Sequence, residues 1–264
     1  MNPTPRLTRV VAMGDLHCGA DSGLTPPAWI SEKKQHFDLA LRCWEFYETT
    51  LRLLQPIDVL IINGDLVEGK GRKNGGVELI ETDLDRQAEM ALDAIKIADA
   101  KTYVITRGTP YHVNSSDGSN LEYQISKLLK AEGADVHFGG HLFPEVNGHV
   151  FDVKHKIGQT SIPHGTSPLK RAWVSNALLA ERGENPRADT IIRSHVHRFD
   201  YVGNARYLAM TLPALQTPFT RFGEDQCEGE TDFGMASFDL NQNGQRKWLW
   251  HVMELVGKRD ALKL

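Results

Sequence analysis

Cysteine is scarce and irregularly placed. Cys18, Cys43 and Cys227 are odd in number and show no CxxC spacing, which argues against a disulfide scaffold and fits a reducing compartment. Cys18 follows His17 directly, but a small buried hydrophobe is its expected role. Long apolar runs are missing as well. None approaches the ~20 residues of a membrane span, and the opening MNPTPRLTRVV lacks the apolar stretch of a secretory signal. The expectation is a cytoplasmic chain with no membrane partner. A surplus of positive charge is also absent. Thirty Lys and Arg against 34 Asp and Glu leave a formal charge of −4. That speaks against affinity built on a broad basic face for nucleic acid, and leaves only a local patch possible.

What remains is an ordinary globular composition, 41% hydrophobic and 24% charged over 264 residues, long enough for a large core. No repeat, low-complexity tract or dividing linker occurs, so one domain over residues 1–264 is expected. The first half alternates strand and helix patterns. Residues 8–13 and Ile57–Ile62 read as buried strands, and Tyr103–Thr106 as a third. Between them fall helical spacings: Leu39, Cys43, Trp44, Tyr47, Leu51 and Leu54, stopped by Pro56, then Leu84, Ala88, Ala91, Leu92 and Ile95. Thr82-x-x-Asp85 and Ser119-x-x-Glu122 read as capping boxes, the second opening a helix with Leu121, Ile125, Leu128 and Leu129 inward. This alternation predicts an α/β sheet covered by helices. The second half is richer in strands, with hairpin turns at Asn147-Gly148 and Asn243-Gly244 and a helix from Ser167-Pro168 to Gly183.

Chemistry collects where apolar strands run into Asp or His. Asp15-x-His17, Gly64-Asp65, Arg107-Gly108-Thr-Pro-Tyr-His112, Val153-Lys-His155 and Ser194-His195-Val-His197 all have this form. The carboxyl ends of strands in an open sheet share one edge, where ligands bind. Carboxylate oxygens and imidazole nitrogens gathered there suit a divalent metal. A lone His is more often a core or surface residue, but five coincidences are hard to explain that way. GDLVEGKG at 64–71 approaches a phosphate-binding loop, yet Gly71 lacks the hydroxyl that holds magnesium and no helical pattern follows. That reading is rejected.

The series GDLH, GDLVEG, RGTPYH, VKH and SHVH resembles the calcineurin-like metallophosphoesterase superfamily, over residues 10–200 and in that family's order. The resemblance implies a sandwich of two mixed β-sheets with helices on the outer faces. It implies two divalent ions (manganese, iron, zinc or nickel), one on Asp15, His17 and His197, the other on His155 and His195, with Asp65 bridging. It further implies hydrolysis of a phosphate ester, monoester or diester, by a hydroxide held between the ions. Two departures stand out. Where the family has Gly-Asn-His, this chain has Gly108-Thr109-Pro110-Tyr111-His112, so Thr109 or His112 must replace the Asn. His112 is expected to protonate the leaving oxygen or to stabilise charge on the transferring phosphoryl group. The last motif has Ser194 in place of Gly. His155 is preferred over His164 as the lone ligand because it follows a strand. Lys70, Arg72 and Lys73 could draw in an anion, and Arg107, Lys170, Arg171 and Arg198 could touch phosphate, on faces the sequence leaves undetermined. The rival expectations are a catalytically silent scaffold of the same fold, and a nuclease acting on nucleic-acid phosphodiesters.

Overall fold

The computed structural model describes residues 6–30, 37–71, 75–114, 118–158, 166–217 and 231–255. In chain order the elements are β1 (Thr8–Met13), α1 (Phe37–Leu53), β2 (Val59–Ile62), α2 (Leu84–Lys96), β3 (Thr102–Thr106), a one-turn α3 (Pro110–Val113) and α4 (Leu121–Ala131). There follow β4 (Asp135–Gly139), β5 (Glu145–Val146), β6 (His149–Lys156), α5 (Ser167–Glu181), β7 (Thr190–Ser194), β8 (Asp200–Gly203), β9 (Leu208–Thr211), β10 (Phe233–Leu240) and β11 (Arg246–Met253).

They build two mixed sheets, ordered β11-β10-β1-β2-β3-β4 and β5-β6-β7-β9-β8. β1 to β4 run parallel and β10 and β11 close that sheet antiparallel, while β6, β7 and β9 are parallel between antiparallel edges. The period-two alternation of each strand divides its side chains between two cores. Val10 and Ala12 join Ile61, Val104, Phe151, Val153, Ile192 and Phe238 between the sheets. Val11 and Met13 face the other way, with Tyr47, Leu51, Ala91, Ile95 and Ile125 from the helices. α5 covers the second sheet through Leu169, Ile191 and Ala209. The α/β sandwich with outer helices is therefore the observed architecture.

Local chemistry departs from the sequence reading at several helix ends. The cap of α2 is Asp83, whose carboxylate accepts from the amides of Asp85 and Arg86, so Thr82 is not the capping residue. α4 is capped by Asn120, which accepts from Tyr123 N at 2.9 Å. This frees Glu122 to turn inward, where it is fully buried. Leu128, expected inward, is 47% exposed, because Leu121, Ile125 and Leu129 already fill the stripe facing the core. The Asn147-Gly148 hairpin forms with both residues at positive φ, 52° and 79°, the geometry a two-residue turn between twisted strands requires. β4 was not foreseen, its half-exposed DVHFG giving no clean alternation.

Candidate metal centre

The loops after β1 and β2 leave their strands side by side and stay paired. The amides of Asp15 and His17 donate to the carbonyls of Gly64 and Asp65, at 2.9 and 3.0 Å. Asn63 ties this edge to the second sheet: its Nδ2 donates to Ser194 Oγ at 2.9 Å, and its Oδ1 accepts from Thr106 Oγ1 at 2.6 Å. Ser194, the departure from Gly in the last motif, thus holds the two sheets in register. A turn this tight forces unusual backbone. Among the described residues seven non-glycines have positive φ, and Asp15, His17, Asp65, His195 and His197 are five of them. Such strain persists only where packing imposes it, and it clusters at functional sites.

Two groups of side chains result at the strand ends, and a third, His17, Glu68 and His112, adjoins the first through His17. Asp15, His17 and His197 form one, with His197 Nε2 at 3.4 Å and His17 Nε2 at 3.9 Å from Asp15 Oδ1. Asp65, His155 and His195 form the other, with His155 Nε2 at 3.0 Å and His195 Nδ1 at 4.0 Å from Asp65 Oδ2. His155 Nε2 also lies 3.9 Å from Asp15 Oδ1, so the two groups share a wall. His155 owes its direction to an extra residue in β6. Val153 pairs with Ile192 but Lys156 with Ser194, a bulge of the kind that re-aims side chains beside functional sites. His164 lies outside the described residues, as do Arg72 and Lys73.

The imidazoles are oriented from behind. His17 Nδ1–H donates to Glu68 Oε2 at 2.8 Å, and His155 Nδ1–H to the Asn63 carbonyl at 2.6 Å. Each therefore turns Nε2 toward the cluster, the tautomer a metal-binding histidine needs. On the acid side, Asp15 Oδ2 accepts from His195 N at 3.2 Å, and Asp65 Oδ1 from Thr109 N at 2.6 Å. The second oxygens are different. Asp15 Oδ1, Asp65 Oδ2 and His17 Nε2 are buried without a hydrogen-bond partner among the described residues. Asp65 Oδ2 and His155 Nε2 meet lone pair to lone pair unless a proton or a cation stands between them. Metal-free, the charges respond accordingly. Burial opposes ionisation of Asp15 and Asp65, yet the surrounding imidazoles hold both below the ordinary carboxylate range, Asp65 far below. Burial also opposes charging His155, but Asp65 overrides it and pushes the ring up to about 10. Orphaned buried acceptors facing nitrogen lone pairs are the donor set of a divalent cation of the manganese, iron or zinc type, and the residues fit that group.

Thr109 and His112 divide the third motif between them. Thr109 Oγ1 sits 3.2 Å from His195 Nδ1 and 3.4 Å from His155 Nε2, in the second group. His112 lies apart from that group. Its ring meets His17 edge-on with centroids 4.7 Å apart, and its Nδ1–H donates to the Glu68 carbonyl at 2.9 Å. Burial and the charge of His17 lower its pKa, so at neutral pH Nε2 carries a lone pair. Gly108 is required for this approach, since a Cβ there would collide with Asp65 Oδ1 and its amide nitrogen.

Two acids were missed. Glu68, three residues after Asp65, is the partner of His17 and was visible in GDLVEG as a second carboxylate. Glu122 accepts from Leu66 N at 3.2 Å and Gly108 N at 2.7 Å, clamping the loops that follow β2 and β3, and burial pushes it up to about 7. Its place in a capping pattern concealed it. The remaining expectations resolve simply. Cys18 is buried and its thiol donates to the Leu24 carbonyl. Arg198 pairs with Asp200 at 3.0 Å, and Arg107, Lys170 and Arg171 are exposed. No helix among the described residues is long and apolar enough to cross a membrane.

No protein-family model matches the chain, and no curated protein does. Among solved structures, the chain is similar to an archaeal phosphodiesterase at 11% identity, covering 92% of this chain and 99% of that one with a TM-score of 0.47. It is similar to zinc-complexed Vps29 from Entamoeba histolytica at 11% identity, 93% and 99% coverage and a TM-score of 0.44. A predicted phosphoesterase from Streptococcus pneumoniae matches at 10% identity, 94% and 99% coverage and a TM-score of 0.40.

Proposed function

We propose that this protein hydrolyses phosphate esters with two divalent cations, one held by Asp15, His17 and His197, the other by His155, His195 and the Thr109 hydroxyl, with Asp65 shared. One observation carries the reading: in two adjoining groups of metal-capable side chains, Asp15 Oδ1, Asp65 Oδ2 and His17 Nε2 are buried without a hydrogen-bond partner among the described residues, and five of the six residues are held at positive φ. A protein that used these residues only for packing would satisfy them with hydrogen bonds.

Cations bound there would supply Lewis acidity toward phosphate oxygens and lower the pKa of a water nucleophile toward neutrality. The chain's own groups do the rest. Glu68 and the Asn63 carbonyl fix the tautomers of His17 and His155. Asn63 and Glu122 hold the loops at the spacing the ligands need. His112, anchored through Nδ1, exchanges a proton at Nε2. It must first gain one to protonate a leaving oxygen, because its neutral form presents a lone pair.

The test is hydrolysis of a chromogenic aryl phosphate monoester and diester with added manganese, together with elemental analysis. Turnover of either ester with two metals per chain is expected. His112→Ala should then lower turnover by about 10²-fold and leave the metal content unchanged. No turnover with at most one metal per chain would favour the second reading, a silent scaffold of the same fold. The observation that motivates that alternative is Thr109, a weaker oxygen donor than the Asn it replaces.

A further inference from the structure

At the end of the sandwich away from the metal centre, two hairpins interlock. Asn147 Nδ2 donates to Thr8 Oγ1 at 3.0 Å and to the Asn241 carbonyl at 3.1 Å, and His149 Nδ1–H donates to the Gly244 carbonyl at 3.1 Å. His149 is buried and its Nε2 accepts from Thr190 Oγ1 at 2.9 Å, so neither ring nitrogen is spare. Against this junction opens a cleft of about 820 Å³, lined by the β8–β9 turn (Asn204 to Arg206) of one sheet and the start of β11 (Arg246 to Trp248) in the other. His155 lies six positions beyond His149 along β6, about 20 Å of extended strand. The cleft is therefore separate from the metal centre.

The side-chain acceptors around the cleft are largely spent. Asn241 Oδ1 accepts from the amides of Asn243 and Gln245, and Gln245 Oε1 from Asn241 Nδ2. Asn204 Oδ1 accepts from Arg206 N, Asp189 Oδ2 from Val150 N, and both oxygens of Asp239 from Arg9. The donors are not spent. Among the described residues, the guanidinium groups of Arg206 and Arg246 make no hydrogen bond or ion pair, and Asn204 Nδ2 and Gln245 Nε2 donate to nothing. Arg246 shares the face of β11 on which Trp248 packs toward the inter-sheet core. It is partly buried, and that burial lowers its pKa although Asp189 acts to raise it. Lys247 only borders the cleft, since alternation turns it to the opposite face beside Asp239. With Asp239 neutralised by Arg9, Asp189 alone offsets the two arginines among the acids lining the cleft. A partly desolvated guanidinium without an ion pair is a cost that an anion removes.

We propose that this cleft binds a small organic phosphate, with its phosphoryl oxygens on Arg206 and Arg246 and its organic body along Trp248. Free donors beside spent acceptors select an anion over a cation or a neutral polar ligand. Two guanidinium forks and two amide donors outnumber what the two oxygens of a carboxylate use, and suit a tetrahedral phosphoryl group. The volume falls in the range of clefts that hold an organic ligand, well above the size of a bare phosphate ion. Binding here is independent of the hydrolase reading, because the cleft shares no residue with the metal centre.

The test is calorimetric titration of the full-length protein, freed of metal by a chelator, with phenylphosphonate, whose carbon–phosphorus bond ester hydrolysis does not cleave. One site per chain is expected. Benzoate, a planar anion on the same ring, should bind at least about tenfold more weakly, and so should inorganic phosphate, which lacks the ring. Arg246→Gln should weaken phenylphosphonate at least about tenfold, Arg246→Lys should recover only part of the loss, and ester turnover of both with manganese should stay native. Circular dichroism reports whether each variant has folded, and Arg206→Gln, on an exposed turn, provides a second variant with the same expected loss. No binding to the metal-free protein, or binding that survives both glutamine substitutions, would overturn the proposal and leave the hydrolase standing. Equal affinity for benzoate would overturn the phosphate assignment, and equal affinity for inorganic phosphate the organic one. Phosphonate bound through Arg246 by a protein that cleaves no ester would keep the cleft and refute the hydrolase.

Discussion

Two clusters of buried charge lie in the same sandwich, and they are built on opposite terms. In one, Asp152 of β6 has both oxygens occupied: Oδ1 takes Arg193 Nη1 at 2.7 Å and His141 Nε2 at 2.8 Å, and Oδ2 takes Asn176 Nδ2 at 3.2 Å. Arg193 further donates to the Asp152 carbonyl, and its neighbours adopt ordinary strand geometry. In the other, Asp15 and Asp65 each keep one buried oxygen unpartnered, on residues at positive φ. Desolvated charges cost several kcal/mol unless paired. The Asp152 cluster meets that cost from within the chain, and so is structural. The Asp15/Asp65 cluster meets it only in part, by charging His155 beside Asp65, and leaves Asp15 Oδ1 and His17 Nε2 buried without partners among the described residues.

The comparison predicts opposite consequences for the same kind of change. Asp65→Asn removes the acceptor common to the second ligand group and the neighbour of the first. Ester turnover should fall by at least about 10²-fold, with metal content reduced. Intact activity on the chromogenic esters would refute the bridging role. Because an unmet cluster gains from occupation, manganese should raise the melting temperature of the native protein and not that of the variant. Asp152→Ala should behave in reverse. It strands Arg193, which is only 6% exposed, and should cost about 3–5 kcal/mol in denaturant unfolding. Metal affinity should stay unchanged. Burial opposes its charge, but His141 and Arg193 hold Asp152 below the ordinary carboxylate range. Its contribution is therefore present above the unfolded carboxylate pKa and is lost as pH falls through the folded value. The difference between variant and native stability should shrink at acid pH.

How far the sequence anticipated this division depends on which interactions are local. The strand ends GDLH, GDL and SHVH lie on one edge of the sandwich, and the structure gathers Asp15, His17, Asp65, His195 and His197 there into two neighbouring groups. The strands and helices with clean periodicity also appeared where expected, because burial of one face decides them. Glu68 and Glu122 escaped notice because their partners lie 51 and 56 positions away, His17 at the one and Leu66 at the other. No spacing rule encodes such contacts. Glu122 also occupies a position where helix capping supplied a sufficient local explanation, until Asn120 proved to be the cap. Asn63 follows the same rule: it reads as turn chemistry, yet it joins β3, β6 and β7. The stacked contact of Tyr201 with Trp250 is a further instance, since the two rings come from edge strands of different sheets.

A smaller effect follows from the protons in the unmet cluster. With no cation present, Asp65 pushes His155 up to about 10, so its ring is charged at neutral pH. A cation binding there must displace that proton. Apparent metal affinity should rise by up to about tenfold per pH unit until pH approaches the folded pKa, then level off. The sign for folding is the opposite. A raised imidazole pKa stabilises the metal-free protein fully below the unfolded value near 6.5, and that contribution is lost as pH rises toward 10. Calorimetric titrations between pH 6 and 9 measure the first trend, and thermal melts of the metal-free protein the second. Metal affinity independent of pH would mean that His155 is not a ligand.

The finest distinction concerns Thr109, because it touches both the protein and the proposed ligand space. Its amide serves Asp65 Oδ1 at 2.6 Å through the backbone, so no side-chain change removes that bond. What Thr109→Ala deletes is the hydroxyl, between His155 Nε2 and His195 Nδ1, together with one methyl group that carries no hydrogen bond. Thr109→Ala therefore removes one neutral oxygen donor and no charge. Losing such a donor should weaken the second cation site by about tenfold and leave the first unaffected. Thr109→Asn, carrying a stronger amide oxygen, should restore or exceed native affinity. Metal titrations that separate two binding steps read this directly. If Thr109→Ala weakened both steps equally, the hydroxyl would be holding the loop and not a ligand. The two groups of side chains would then behave as one site.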